Sequence, residues 1–147
     1  TQYPTHGGGL EKDFMEFIDN DGAVVKFIKI NESRHLFARI AYLRTDGLMS
    51  EYVPDFLVAT KDRMYLVEMK AQKDKHDENV QAKRLAAIGW IRHINELDAS
   101  ERDYREWAYL LVTDKDFYAY RSATATFGDL CAFAELTESG LKGEFNF

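Results

Sequence analysis

The stretch EYVPDFLVATKDRMYLVEMKAQ, residues 51–72, decides the fold because it contains two apolar runs separated by a short polar turn. Both runs are rich in Val, Leu, Tyr and Phe, which is typical of strands buried on one or both faces. The turn TKDR, residues 60–63, is short enough to join them as an antiparallel hairpin. Pro54 has no N–H for a sheet and is tolerated only at an edge, a strand start or a bulge. We therefore predict two adjacent strands in this stretch.

Two acidic residues face each other in the predicted hairpin. If Lys61 and Asp62 are the central turn residues, Asp55 lies opposite Glu68, with their Cβ atoms roughly 4.5–5.5 Å apart. Lys70 follows two residues later and shares the face of Glu68. Neighbouring carboxylates repel each other, so a fold that keeps them together usually holds a cation, commonly a metal, between them. A turn longer or shorter by one residue would move Asp55 out of this register.

Length and composition fit one soluble domain. The 147 residues, of which 46% are hydrophobic, are enough for one sizeable core. The single cysteine, Cys131, excludes an intrachain disulfide, and its apolar neighbours predict a buried side chain in a reducing, cytoplasmic compartment. No apolar run approaches the roughly 18 residues of a membrane span, so we expect no membrane segment.

The charge distribution limits how the chain can bind nucleic acid. A net charge of −6 argues against binding by bulk electrostatics, so any contact with phosphate must be local. Basic residues do concentrate in a short interval that begins at the end of the hairpin: Lys70, Lys73, Lys75, Lys83, Arg84 and Arg92. An ordinary solvated helix face would account for them equally well.

The remaining sequence predicts helices on both sides of the hairpin. Residues 1–9 contain a Pro and three consecutive Gly, which indicates a flexible leader or linker before a domain spanning residues 10–147. Apolar spacing and turn signals predict a helix over Leu10–Asp19, strands over Ala23–Ile30 and Leu36–Arg44, a helix over His76–Asn95, a strand over Trp107–Thr113, a short strand over Phe117–Tyr120 and a helix over Phe127–Leu136. We therefore expect an α/β fold with a mixed central β-sheet flanked by helices.

The two acids and the lysine also carry a family resemblance. Pro54-Asp55, then twelve residues, then Glu68-Met69-Lys70 resemble the signature of the PD-(D/E)XK nucleases. The resemblance implies a restriction-endonuclease-like core with the element order α-β-β-β-α-β. It also implies a metal-dependent endonuclease that hydrolyses phosphodiester bonds of DNA.

A narrower resemblance covers residues 9–95. The segments GLEKDFMEFIDNDGAVVKFIKI, YVPDFLVATKDRMYLVEMK and NVQAKRLAAIGW are similar to the C-terminal endonuclease domain of the restriction subunit of type III restriction enzymes. That family implies cutting of double-stranded DNA by an assembly with an ATP-driven, helicase-like motor and a methyltransferase subunit that reads the site. The chain has no GxxxxGK(S/T) phosphate loop, so any motor and any use of ATP belong to an upstream region or another chain.

The resemblance implies roles for individual residues. Asp55 corresponds to the family's first metal-binding acid, Glu68 to its second and Lys70 to its catalytic lysine. The backbone carbonyl of Met69 is the family's usual further ligand. Hard oxygen ligands suit Mg²⁺, for which Mn²⁺ could substitute. In this chemistry the metal neutralises charge that develops on the phosphate, and Lys70 holds the attacking water or stabilises the same charge.

Two helix residues resemble further site positions of the family. Glu11 lies at the border of the apolar stripe of the first helix and resembles the first-helix acid of many members. Lys83 lies within the apolar stripe of the second helix, which is unusual for a charged residue, and matches a polar position near the active site. Gln81 is the alternative for that position, because many relatives of the recombination-nuclease type have a glutamine there.

Each of these residues also fits an ordinary structural role. Asp55 could be a turn acid, Glu68 could pair with a surface lysine across the hairpin, and Lys70 could protect an edge strand from aggregation. Lys83 could extend its charge to solvent along its aliphatic stem. The alternative function is a catalytically inactive nuclease-fold domain that binds DNA or docks onto a partner.

Overall fold

Helices and strands cover most of the chain. The computed structural model describes residues 9–31, 33–34 and 36–134. Their helices and strands are, in chain order, α1 (Gly9–Asp19), β1 (Lys26–Lys29), β2 (Ile40–Leu43), β3 (Met49–Tyr52), β4 (Phe56–Ala59), β5 (Arg63–Lys70), α2 (Glu78–Asn95), β6 (Glu106–Thr113), α3 (Asp114–Ser122) and α4 (residues 127–134). The predicted leader, apart from Gly9, and the predicted helix end at Leu136 lie outside the described residues. No helix in the described ranges is both long and apolar enough to span a membrane.

Four strands form a mixed sheet in the order β1-β4-β5-β6. β1, β4 and β5 are antiparallel neighbours, whereas β6 runs parallel to β5. A parallel neighbour requires a long crossover connection, and α2 provides it between β5 and β6. The prediction of an α/β fold with a mixed sheet flanked by helices is therefore confirmed.

The element order differs from the predicted α-β-β-β-α-β order. β2 and β3 form a separate two-stranded sheet, which interrupts the chain between β1 and β4. Tyr52 ends β3 and Phe56 begins β4, so the chain leaves one sheet and enters the other around Pro54, which cannot donate to either sheet. Residues 51–72 thus contribute to three strands, and the prediction of two was wrong. The region predicted as a strand over Leu36–Arg44 begins instead with a 3-10 turn, Leu36–Ala38.

The predicted register of the β4–β5 hairpin is confirmed. Val58 lies opposite Tyr65, and the Thr60 N–H donates to the Arg63 carbonyl at 2.9 Å across the turn. This is the pairing expected when residues 61 and 62 occupy the centre of the turn. All four residues of β4 are buried, as the uninterrupted apolar run predicted.

Different helices cover the two faces of the sheet. On one face, the ring of Phe14 in α1 packs against those of Phe56, Phe117 and Phe127, with centroids 5.2, 5.7 and 6.4 Å away. Side chains of a strand point alternately to the two faces, and those on the other face pack against α2. Members of the second cluster are Leu57, Leu66, Ala87 and Ile91. The candidate site lies at the end of β5, near Glu68 and Lys70.

Residues Phe117–Tyr120 are helical, so the prediction of a short strand there was wrong. The Thr113 hydroxyl caps α3 by accepting a hydrogen bond from the Asp116 N–H at 3.2 Å. This cap starts a helix directly after β6 and overrides the preference of aromatic residues for strands. Cys131 in α4 is buried, as predicted.

Candidate active site

Asp55 and Glu68 lie across from each other at the end of the β4–β5 hairpin. The Asp55 N–H donates to the Val67 carbonyl at 3.1 Å, which continues the hairpin register one residue beyond β4. The Asp55 carboxylate accepts a hydrogen bond from the Met69 N–H at 2.7 Å. This bond directs the carboxylate toward the last residues of β5.

Glu68 is a buried acid with an incomplete set of partners. The residue is 6% exposed, and its Oε1 atom lies 3.9 Å from the Lys70 Nζ. Its other carboxylate oxygen, Oε2, is buried and has no hydrogen-bond partner among the described residues. A buried polar atom without a partner is costly, so this oxygen is positioned to accept a ligand that the chain itself does not supply.

Both acids have a pKa well above the usual range for a carboxyl group. Burial, followed by the charge of Asp55, raises the pKa of Glu68 to about 8. Burial also raises the pKa of Asp55 to about 6, against the opposing effect of the Met69 N–H. Two neighbouring buried carboxylates resist ionising together, so the pair holds a proton to a higher pH than two exposed carboxyl groups would.

Glu11 approaches the pair from the α1 side. Its carboxylate forms an ion pair with Lys29 at the end of β1. The Lys29 Nζ lies 5.2 Å from the centroid of the Phe56 ring, the residue that directly follows Asp55. The charge of Glu11 raises the pKa of Asp55, and that of Lys29 lowers it. The first-helix acid and Lys29 thus both act electrostatically on the site.

Lys83 approaches from the α2 side of the sheet. Leu66 packs against α2. Glu68 and Lys70 follow Leu66 at two-residue steps along β5, so they lie on the same face of the sheet. The positive charge of Lys83 lowers the pKa of Glu68, as does that of Lys70. Two lysines, one from β5 and one from α2, therefore oppose the effect of burial on this carboxylate.

Gln81, the alternative to Lys83, uses its side chain elsewhere. Its amide nitrogen donates to the Lys75 carbonyl at 2.6 Å, and its amide oxygen accepts from the Arg84 Nε at 2.9 Å. The first bond ties α2 to the segment before it, and the second lies within the helix. Of the two candidates on the second helix, Lys83 carries a charge, and that charge lowers the pKa of Glu68.

The sequence interpretation missed Lys29 and Tyr52. The Tyr52 hydroxyl donates to the Lys83 carbonyl at 3.1 Å. Burial raises the pKa of that hydroxyl above its usual range, and the charges of Glu68 and Asp55 add to the effect. Only weak signals pointed to these residues: Lys29 interrupts an apolar strand, and Tyr52 lies two residues before Pro54.

The candidate metal ligands of the site are oxygen atoms. Within the described ranges there is no group of three or more His, Cys, Asp and Glu side chains that could hold a metal ion. Asp55 and Glu68 supply carboxylates, and Met69, whose N–H contacts Asp55, supplies a backbone carbonyl on the same strand. Mg²⁺ commonly takes one or two carboxylates and keeps several waters, which matches a donor set of this size.

No protein-family model matches the chain, and no curated protein or solved structure is significantly similar to it. The comparisons therefore assign no family and no fold relative. The fold brings Asp55, Glu68 and Lys70 together, and the charges of Glu11 and Lys83 act on the acids.

Proposed function

We propose that the chain is a metal-dependent endonuclease domain of the PD-(D/E)XK type, which hydrolyses phosphodiester bonds of double-stranded DNA. The observation that carries the proposal is the buried pair Asp55 and Glu68 with Lys70 beside it. Two buried carboxylates whose pKa values are raised cost stability, which a purely structural role would not repay. A function at this position accounts for both the pair and the lysine.

The donor set fits Mg²⁺, with Mn²⁺ as a possible substitute. Asp55, Glu68 and the Met69 carbonyl would hold the ion. This assignment is supported by the buried Oε2 atom of Glu68, which has no hydrogen-bond partner among the described residues. A bound ion would neutralise charge on the phosphate oxygens and lower the pKa of a coordinated water. The repulsion between the two carboxylates would be offset at the same time.

Lys70 is suited to act on the phosphate or on the attacking water. Its side chain is 28% exposed and its Nζ lies 3.9 Å from Glu68 Oε1, so the ammonium is close to the acids and still accessible. An ammonium there can donate a hydrogen bond to the water or stabilise negative charge that develops on the phosphoryl group.

Glu11 and Lys83 would adjust the charge of the acidic pair from opposite faces of the sheet. Glu11 makes Asp55 and Glu68 harder to ionise. Lys83 makes Glu68 easier to ionise, which favours the deprotonated form that metal binding requires. Their side chains are therefore candidates for setting the pH at which the site becomes competent.

The fold supports the restriction-endonuclease-like part of the proposal. With the β2–β3 hairpin set aside, α1, β1, β4, β5, α2 and β6 follow the order α-β-β-β-α-β. The resemblance of segments within residues 9–95 to type III restriction subunits is the ground for a finer proposal. In it, a cytoplasmic assembly adds an ATP-driven motor on another region or chain and a methyltransferase subunit that reads the DNA site.

A second candidate is a nuclease-fold domain that binds DNA or docks onto a partner without cutting. The net charge of −6 favours docking over cutting, because a chain of this charge has no bulk attraction for DNA. The presence of Asp55, Glu68 and Lys70 together favours the enzyme, because binding alone does not require these three residues.

Nicking of supercoiled plasmid in Mg²⁺ tests the proposal. Asp55→Ala and Lys70→Ala should each lower the nicking rate by at least about 100-fold, as loss of a charge-stabilising group does. Matched controls are Asp62→Ala and Lys61→Ala, which change the same residue types in the exposed turn at the other end of β5. Both controls should cut like wild type, and EDTA should abolish cutting. Equal cleavage by all variants would overturn the assignment, and no cleavage by wild type would favour the second candidate.

A further inference from the structure

The β2–β3 hairpin presents two tyrosine rings to α2. Tyr42 of β2 and Tyr52 of β3 lie on the hairpin face that is turned inward, whereas Ala41 and Leu43 on the other face are exposed. The ring centroids of the two tyrosines are 5.8 Å apart and their planes meet at 82°, an edge-to-face arrangement. Together they form a small aromatic corner beside the helix.

The ammonium of Lys83 lies at this aromatic corner. Its Nζ is 5.4 Å from the ring centroid of Tyr42 and 5.6 Å from that of Tyr52. Both distances are within the roughly 6 Å at which the negative face of an aromatic ring attracts a cation. Two rings on one ammonium restrict a long side chain that would otherwise sample many rotamers.

Two hydrogen bonds fasten the hairpin to α2 around this contact. The Tyr52 hydroxyl donates to the Lys83 carbonyl at 3.1 Å. At the hairpin turn, the Thr45 N–H donates to the Asn79 Oδ1 at 3.2 Å. The hairpin is therefore held against the same helix turns that carry Lys83.

We propose that the β2–β3 hairpin is a functional part of the candidate site, in which Tyr42 and Tyr52 are positioning residues that hold the Lys83 ammonium on the α2 side of the sheet, the face that also carries Glu68. The aromatic corner stands on geometry alone, while its effect on DNA cleavage rests on the proposed nuclease function. Because β2 and β3 form a sheet of their own, the inward face of this hairpin is free to contact α2.

The aromatic corner has a spectroscopic signature that does not depend on activity. Ring currents should move the Lys83 ε-methylene protons upfield of those of the exposed Lys61 in wild-type protein labelled with ¹³C-lysine. The Lys83→Arg variant assigns the signal by removing it. Tyr42→Phe should keep the upfield position because it keeps the ring, and Tyr42→Leu should lose part of it. Wild-type Lys83 protons at the position of Lys61 would overturn the proposal without any variant.

Cleavage rates provide the second readout. Tyr42→Leu should lower the plasmid-nicking rate about two- to fivefold, the range of one cation–π contact, and Tyr42→Phe should restore it. The matched control is Tyr104→Leu, which removes a tyrosine that is 74% exposed near the start of β6, at the opposite end of the sheet. An equal loss with Phe and Leu at position 42 would overturn the role of the ring. If wild type does not cut DNA at all, the proposed nuclease function fails, whereas the proton shifts still decide whether the corner holds Lys83.

Discussion

The carboxylate of Asp55 accepts a hydrogen bond from the Met69 N–H at 2.7 Å, and this bond ties the first acid of the site to the strand that carries the second. It lowers the pKa of Asp55 against the effect of burial, so that Asp55 ionises with a pKa of about 6 and Glu68 with a pKa of about 8. Different groups therefore oppose burial at the two acids: a backbone N–H first at Asp55, and the charges of Lys70 and Lys83 at Glu68.

Removing the charge of Asp55 should lower the pKa of Glu68. The charge of Asp55 raises that pKa, second only to burial, so Asp55→Asn leaves Glu68 with a neutral neighbour of similar size. Titration of the Glu68 side-chain carboxyl by ¹³C NMR measures the change. Asp62→Asn, in the exposed turn, is the control and should leave the value where it was. A Glu68 pKa that is unchanged in Asp55→Asn would mean that the two carboxylates do not interact.

Stability without divalent cations should fall as the pH rises from about 4 to about 8. Both acids have a higher pKa in the folded state, so the folded chain binds more protons in this window and loses that advantage on deprotonation. The loss in free energy of unfolding should be on the order of a few kcal/mol. Glu68→Gln should flatten the curve, as measured by urea unfolding at several pH values. Parallel curves for the variant and wild type would contradict the pKa assignment.

Mg²⁺ should stabilise the protein at pH 8 and much less at pH 5, because the carboxylates must be deprotonated to bind it. At a free concentration tenfold above Kd, the free energy of unfolding should rise by about 1.4 kcal/mol. Urea unfolding with Mg²⁺ and with EDTA measures the difference. Asp55→Asn should remove most of it, whereas Asp62→Asn should keep it. Equal stabilisation of both variants would place the bound ion elsewhere.

The ring of Phe14 should be a major contributor to stability. It is fully buried and packs against Phe56, the first residue of β4, so it supports the strand that follows Asp55. Phe14→Ala should cost about 3–5 kcal/mol in the free energy of unfolding. Phe37→Ala removes the same side chain at a position that is 56% exposed and should cost clearly less. Similar losses for the two variants would contradict the assignment of this core.

The sequence was sufficient for the hairpin register. A short turn between two apolar runs fixes which residues face each other, so the pairing of Asp55 with Glu68 follows from the turn length alone. The split at Pro54 was not predictable in the same way. Proline is compatible with an edge strand or with a break between strands. Which of the two occurs at Pro54 depends on the tertiary packing of the β2–β3 hairpin, which lies against α2.

Tertiary contacts explain what the sequence did not reveal about the site. The Glu11–Lys29 ion pair depends on how α1 lies over the end of β1, which no local spacing encodes. The position of Lys83 on the apolar stripe of α2 did indicate an unusual environment. The tyrosines that contact its ammonium come from a separate sheet, so only the fold brings them to α2.

Anomalous diffraction from crystals soaked in Mn²⁺ at pH 8 would reveal whether Asp55 and Glu68 share one divalent cation. We predict a single strong peak within about 2.5 Å of a carboxylate oxygen of each acid, and no such peak in Glu68→Gln crystals. A wild-type map with no ion at this pair, or with Mn²⁺ only at other carboxylates, would contradict it.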